Sequence, residues 1–315
     1  LDYMARRAGI SFGGKKVLIF GSGGASLTAQ HLARREGARE VVVISRSGKD
    51  NYGNLSRHHD AGVLINATPV GMYPHSGTAV VDAALFSGLS GILDLIYNPR
   101  RTALLMQAET LKIPCSDGLP MLVAQAKAAA ELFFDTVIAG QELERIIGKM
   151  RREMTNIIII GMPGCGKSTL GEALHRLTGR ELLDLDELIV REAGRSIPEI
   201  FAASGEAFFR RLEHAAAAAA GKESGKIIVT GGGIVKDERN YPLLRQNGRL
   251  YHLRRDLALL PREGRPLSEK GDLGALFRER LPLYRRFRDA AVDNSGSPDE
   301  VAAMIWRDFN AYSGD

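Results

Sequence analysis

The chain has 315 residues, 44% hydrophobic and 25% charged, with 42 basic against 37 acidic side chains for a net charge of +5. That length suits two domains, and no apolar run approaches the roughly 20 residues a membrane helix needs, so no membrane partner is expected. Two distant cysteines, Cys115 and Cys165, argue against a zinc cluster or disulfide framework and, with no secretory signal, suit a reducing cytoplasm; the start at Leu1 rather than Met reads as a fragment.

In chain order, the first element is an apolar strand over residues 16–20, followed by the turn Gly21-Ser22-Gly23-Gly24-Ala25-Ser26. A glycine turn between a buried strand and a helix is of the dinucleotide-binding type, because glycine lets the backbone approach a pyrophosphate at the helix N-terminus. Further apolar β-rich runs follow at 41–44, 63–66 and 91–96, with helical patterns at 102–111 and 121–138. The run at 41–44 ends in Ser45-Arg46-Ser47, where NAD-binding folds often carry an acid. An arginine between two hydroxyls there suits the 2′-phosphate of NADP, and a structural βα unit without ligand stays open as the alternative.

Residues 142–153 read as a charged helix. They divide the chain into a first domain over 1–140, a linker helix over 141–154 and a second domain over 155–315. The second domain opens on a strand at 156–160 and the loop Gly161-Met162-Pro163-Gly164-Cys165-Gly166-Lys167-Ser168-Thr169. This is GxxxxGK[ST] in its required strand–loop–helix setting: backbone N–H groups surround a phosphate, Lys167 reaches it as a point charge, and the Ser168 hydroxyl suits Mg²⁺. Strands are expected at 181–185, 226–230 and 249–253, and helices at 168–177 and 198–220. Apolar strands alternating with helices predict an α/β protein of two domains, each a parallel sheet covered on both faces.

Asp184-Leu185-Asp186 closes the strand at 181–185, and alternation is expected to send both carboxylates to one side. One acid near Mg²⁺ and one near an acceptor hydroxyl is what phosphoryl transfer to an alcohol needs, while helix caps are the plain reading. Thr230-Gly231-Gly232-Gly233 ends the next strand, where glycines would let a compact substrate lie against the backbone. Arg210 and Glu213 share a helix face. Between residues 249 and 288 stand ten arginines against five acids. No nucleic-acid motif accompanies them, so an anionic small ligand or a solvated helix face explains them, and no nucleic-acid partner is expected.

The loop, Asp184-x-Asp186, Phe209-Arg210-Arg211-x-Glu213, the triple glycine, Arg265-Pro266-Leu267 and Leu283-Tyr284-Arg285 have the order and spacing of shikimate kinases, over about residues 156–306. The resemblance implies ATP and shikimate as substrates, with Gly164, Cys165, Gly166, Lys167, Ser168 and Thr169 around the phosphates. It implies Asp184 with Ser168 in the magnesium shell, and Asp186 on the shikimate hydroxyls, taking the proton from the attacking one. Arg210, Arg285 and the Gly232 backbone would hold shikimate, Arg265 would act as a lid, and Arg262 would contact adenine in a short lid segment. Where many members place an arginine near adenine, this chain reads Asn294-Ser295-Gly296-Ser297. A kinase of another carboxylated polyol such as gluconate, or a non-enzymatic nucleotide-binding module, are the rival readings.

Residues 1–138 resemble the NADP domain of shikimate dehydrogenases through Asn66-Ala67-Thr68-Pro69-Val70-Gly71-Met72, Asp94-Leu95-Ile96-Tyr97-Asn98-Pro99 and the run from Asp117-Gly118 to Gln125-Ala126. The resemblance implies NADP bound at Gly21, Ser22, Gly23, Gly24, Ala25, Ser45, Arg46, Ser47 and Gly118, with Tyr97 and Gln125 bordering a shikimate site. The family's catalytic Lys and Asp lie in an N-terminal substrate domain that this chain does not match. The expectation is a Rossmann-type NADP domain inactive alone as a dehydrogenase, fused to a P-loop kinase.

Overall fold

The computed structural model describes residues 1–260 and 273–312, which form two compact units, 1–149 and 150–315. The first unit runs α1 (Asp2–Arg7), β1 (Lys16–Phe20), α2 (Gly24–Arg35), β2 (Glu40–Ile44), β3 (Val63–Asn66), β4 (Gly91–Asp94), α3 (Ala103–Leu111), β5 (Cys115–Ser116) and α4 (Leu119–Phe134). Its strands are all parallel in the order β2-β1-β3-β4-β5. Alternation places Leu18, Phe20, Leu64 and Ile92 in one buried cluster and Val17, Ile19, Val63, Ile65 and Leu93 in another. The sheet is therefore covered on both faces, and each such side chain contributes about 1.5–3 kcal/mol by leaving water.

Helix α5 (Gly140–Met154) carries the boundary between the units. The second unit then runs β6 (Asn156–Gly161), α6 (Lys167–Thr178), β7 (Leu182–Asp184), α7 (Leu185–Ala193), α8 (Ile197–Ala220), β8 (Ile227–Val229), α9 (Asn240–Arg245), β9 (Gly248–Arg254), α10 (Leu273–Phe287), β10 (Ala290–Asp293) and α11 (Pro298–Ala311). Its parallel order is β10-β9-β6-β8-β7. In α8, Ser196 and Glu199 form a capping box, Gly205 breaks the helical geometry at φ +75°, and Ala216, Ala217 and Ala220 pack into the core.

In both units the strand that precedes the glycine turn sits between neighbours on opposite sides of the chain's path: β1 between β2 and β3, β6 between β8 and β9. Ligand crevices in open parallel sheets form beyond the carboxyl ends of strands at such switch points. Two short strands, β5 and β10, went unpredicted. β4 ends at Asp94 rather than at 96, because the Asp94 carboxylate turns inward to bond neighbouring chain segments. Among the described residues no helix is long and apolar enough to cross a membrane.

Candidate active site

In the first unit, Gly21 adopts φ +103°, and a Cβ there would lie 2.9 Å from Ala67 O, so this turn requires glycine for its own geometry. Gly23 and Gly24, at the start of α2, are different: neither has positive φ, and a Cβ on either would meet nothing within 4 Å. Their surroundings leave the helix N-terminus open to a ligand. Ser22, Ala25, Arg46 and Ser47 are exposed beside β1 and β2, and Ser45 is half-buried. The Arg46 charge opposes the burial that raises the Tyr52 phenol. Gly118 begins α4 with no room for a side chain, since a Cβ would sit 2.1 Å from Leu95 O. Tyr97 and Gln125 are exposed, on the segment after β4 and on α4.

Between these positions lies a closed polar network. Asp94 is buried, accepts from Asn66 Nδ2 (3.0 Å) and Ile96 N (3.1 Å) on one oxygen, and from Thr102 Oγ1 (2.6 Å) on the other. Asn66 Oδ1 in turn accepts from Thr68 N and Oγ1. Burial pushes the Asp94 carboxyl up to about 6 against these bonds. The motif segments after β3 and β4 thus bond one another.

In the second unit the phosphate loop closes on β6. Lys167 is buried, and its ammonium donates to Gly161 O and Met162 O, both at 3.0 Å, so the loop's own carbonyls hold it. Gly166, at φ +92°, caps α6, and a Cβ there would lie 2.6 Å from Asn294 Nδ2. That amide donates to Cys165 O at 2.6 Å and buttresses the loop from the segment Asn294-Ser295-Gly296-Ser297.

A cavity of about 880 Å³ opens above the loop. Gly164, Gly166, Lys167, Ser168 and Thr169 line it, together with Asp184, Asp186, Arg210, Glu213 and the triple glycine. The two acids reach it differently from the expected alternation. β7 stops at Asp184, which caps α7 by accepting from Asp186 N at 2.9 Å, and Asp186 lies in the first helical turn. A strand ending in an N-cap residue changes side-chain direction at that residue. Asp184 also accepts from Ser168 Oγ at 2.9 Å, which gathers two hard oxygen donors at the loop. Asp186 Oδ1 is buried without a partner among the described residues, and burial followed by the Asp184 charge raises its carboxyl.

The triple glycine lines this cavity, and the spaces its side chains would fill also belong to protein groups. A Cβ on Gly231 would lie 2.9 Å from both Asp186 Oδ1 and Glu213 Oε1. One on Gly232 would strike Pro163 at 2.6 Å, and one on Gly233 the Arg210 guanidinium at 2.3 Å. The turn is glycine so that acids, loop and arginine can close around it. Arg210 donates to Glu213 Oε2 at 2.6 Å and to Glu206 Oε1 at 2.8 Å. Burial raises the Glu213 carboxyl, and its Oε1 has no partner among the described residues.

Arg285 does not line this cavity and is exposed, because on α10 its neighbour Tyr284 takes the buried position, stacked on His252 with ring centroids 4.7 Å apart. Arg255, just after β9, and the buried Arg280, also on α10, line the cavity instead. Arg280 was missed because no motif contains it, although it precedes Tyr284 by one helical turn. Arg262 and Arg265 lie outside the described residues.

The shikimate kinase family model matches residues 163–310. Those residues are similar to the shikimate kinase family. Within it, a shikimate kinase of Geobacter sulfurreducens is 47% identical over 98 residues, which is 31% of this chain and 54% of the relative. For the first unit, a shikimate dehydrogenase (NADP(+)) of Clostridium perfringens is 32% identical over 143 residues, 41% of this chain and 53% of the relative. A solved shikimate kinase structure from Acinetobacter baumannii aligns at 30% identity with a TM-score of 0.47, covering 52% of this chain and 97% of that one. The chain spans about half the length of the curated relatives it matches. A shikimate kinase domain after a shikimate dehydrogenase-like region is consistent with a fusion of the two.

Proposed function

We propose that the second unit transfers the γ-phosphate of ATP to the 3-hydroxyl of shikimate. One observation carries the reading: a single cavity is lined by the phosphate loop, by Asp186, whose buried Oδ1 has no partner among the described residues, and by the Arg210 guanidinium. In this reading the loop amides and the α6 N-terminus hold the phosphates, and Lys167 exchanges its two carbonyl partners for phosphate oxygens. Asp186 accepts the proton of the attacking hydroxyl. Its raised affinity for a proton, caused by burial, makes it a stronger base than an exposed acid. Arg210 presents its charge to the acceptor carboxylate, oriented by Glu213 behind it.

Ser168 and Asp184 fit Mg²⁺, which needs few protein oxygens when phosphates complete its shell; among the described residues no larger acidic, His or Cys cluster is built. Bound there, Mg²⁺ would neutralise developing phosphate charge. Arg265 as a lid and Arg262 at adenine belong to the same reading. For the first unit we propose NADP binding, with Gly23 and Gly24 leaving room at the α2 N-terminus and Arg46, exposed just after β2, for a 2′-phosphate.

Coupled ADP release measured with and without shikimate tests the kinase reading. Shikimate-dependent turnover is expected, and equal rates with gluconate or with no acceptor would sink it. Fluorescence titration with NADPH against NADH tests the first unit, with tighter NADPH binding expected and equal affinities refuting the Arg46 assignment.

A further inference from the structure

The cavity above the phosphate loop holds a cation that lies outside every sequence motif described above. Arg255 stands one residue beyond β9, is exposed, and lines the cavity with Gly166, Lys167, Ser168 and Thr169. Its guanidinium is turned toward the loop: Nη1 lies 3.8 Å from where a Cβ on Gly166 would sit, and Gly166 is the residue that caps α6. Other arginines of the basic stretch 249–288 are paired with acids, Arg249 with Asp308 and Arg286 with Glu238. Among the described residues no acid pairs with Arg255. Asp184, the acid that touches the loop, accepts from Ser168 Oγ and Asp186 N instead.

A bare cation is unfavourable at this place. The N-terminus of α6 carries about half a positive charge, and the Lys167 ammonium stands at the same loop, held by two carbonyls. A third positive group gathered there repels the first two. An exposed, flexible arginine loses little by turning away into water, so its place over Gly166 makes sense when an anion shares the space. Around Arg210 the same cavity is balanced, because Glu206 and Glu213 both accept from that guanidinium. The segment after β10, which borders Gly166 through Asn294, brings no cation, since it reads Asp293-Asn294-Ser295-Gly296-Ser297. Unmatched positive charge thus gathers at the loop, from the end of β9.

We propose that Arg255 is a nucleotide-binding residue: its guanidinium contacts the phosphates that the loop and Lys167 hold. This rests on the reading of the second unit as an ATP-dependent kinase. The backbone N–H groups of such a loop cradle the α- and β-phosphates, and Arg255 lies over one of those loop residues, so the contact falls on phosphates that ADP keeps. Arg255 therefore holds product as well as substrate.

The test uses the full chain and calorimetric titration with MgADP and with pyrophosphate. For Arg255→Met the ADP affinity is expected to fall about tenfold, the size of one charge-assisted hydrogen bond, and the pyrophosphate affinity by a similar factor. Arg255→Lys keeps the charge without the fork and should recover part of the loss. Arg254→Met removes an exposed charge one residue away that does not line the cavity, and should change ADP affinity less than about twofold. An unchanged ADP affinity in Arg255→Met overturns the proposal. So does an equal loss in Arg254→Met, which would assign the effect to the general field of the basic stretch. A loss for ADP with none for pyrophosphate would put Arg255 on the ribose or base and overturn the phosphate contact. In steady-state ADP release, Arg255→Met should raise the KM for ATP while the KM for shikimate stays within about twofold, and a larger rise for shikimate than for ATP would move Arg255 to the acceptor and overturn the assignment. If the wild type binds ADP yet shows no shikimate-dependent turnover, the acceptor assignment fails while the titrations still decide for or against Arg255. A wild type that binds no ADP overturns both.

Discussion

The carboxyl ends of the two sheets treat a buried acid in opposite ways. In the first unit, Asp94 at the end of β4 has both oxygens occupied, by Asn66, Ile96 and Thr102. In the second, Asp186 and Glu213 each keep a buried oxygen without a partner among the described residues, and both face Gly231. Burying a polar atom unpaired costs about 1–3 kcal/mol, so a saturated acid secures the backbone around it while an unsaturated one is kept for something that arrives. By that difference Asp94 belongs to the scaffold, and the proposed reading assigns Asp186 to the chemistry.

Substitutions can break this contrast. Asp186→Asn should cost the most: kcat for shikimate falls by about 10²–10⁴ as the base is lost, while ATP affinity, measured by equilibrium titration, stays within a few fold. A smaller loss would move Asp186 out of the proton-transfer role. Arg210→Met should come next, raising the shikimate KM by about 10–100-fold with a weaker effect on ATP. Arg285→Met, at an exposed position outside the cavity, should cost the acceptor less than Arg210→Met, and the reverse order would reinstate Arg285 as the main carboxylate holder.

The pH dependence sharpens it further. Asp186 must be ionised to accept a proton, and burial raises its carboxyl, so kcat/KM should fall as pH drops through a value above that of an ordinary aspartate. An acid limb at the ordinary value would contradict the buried, unpaired geometry. The smallest effect is expected at Asp94. Its folded value of about 6 lies above the unfolded value of about 4, so the folded state binds more protons between them. The contribution of Asp94 to the stability of the first unit should therefore be fully present below about pH 4 and be lost as pH rises through about 6. Asp94→Asn should flatten that slope in urea unfolding monitored across the range, without changing ADP release.

The fold was legible because residues 17–20, 63–65 and 157–160 are short continuous apolar runs alternating with helical patterns, as a parallel sheet buried on both faces requires. The phosphate loop was legible because its chemistry is carried by backbone and glycine, whose positions sequence spacing fixes. Side-chain direction was less so. Asp184 and Asp186 were placed by strand alternation, and the N-cap at Asp184 turned the chain instead. Arg285 stood in a matching motif, yet the helical phase of α10 sends Tyr284 inward and Arg285 outward. Arg280 and Asn294 act through bonds to Gly232 and Cys165, 48 and 129 residues away, and no local pattern reports such a contact.

That last contact bears on how the domain matures during synthesis. Asn294 reaches back to hold the loop that opens the unit, from just beyond its final strand. Contacts of such long sequence separation form late, after shorter loops have closed. A chain emerging N-terminus first would expose a finished glycine sequence long before it had a finished phosphate cradle, so a nascent chain stalled before residue 294 should show no tight ATP retention while its first unit is already folded.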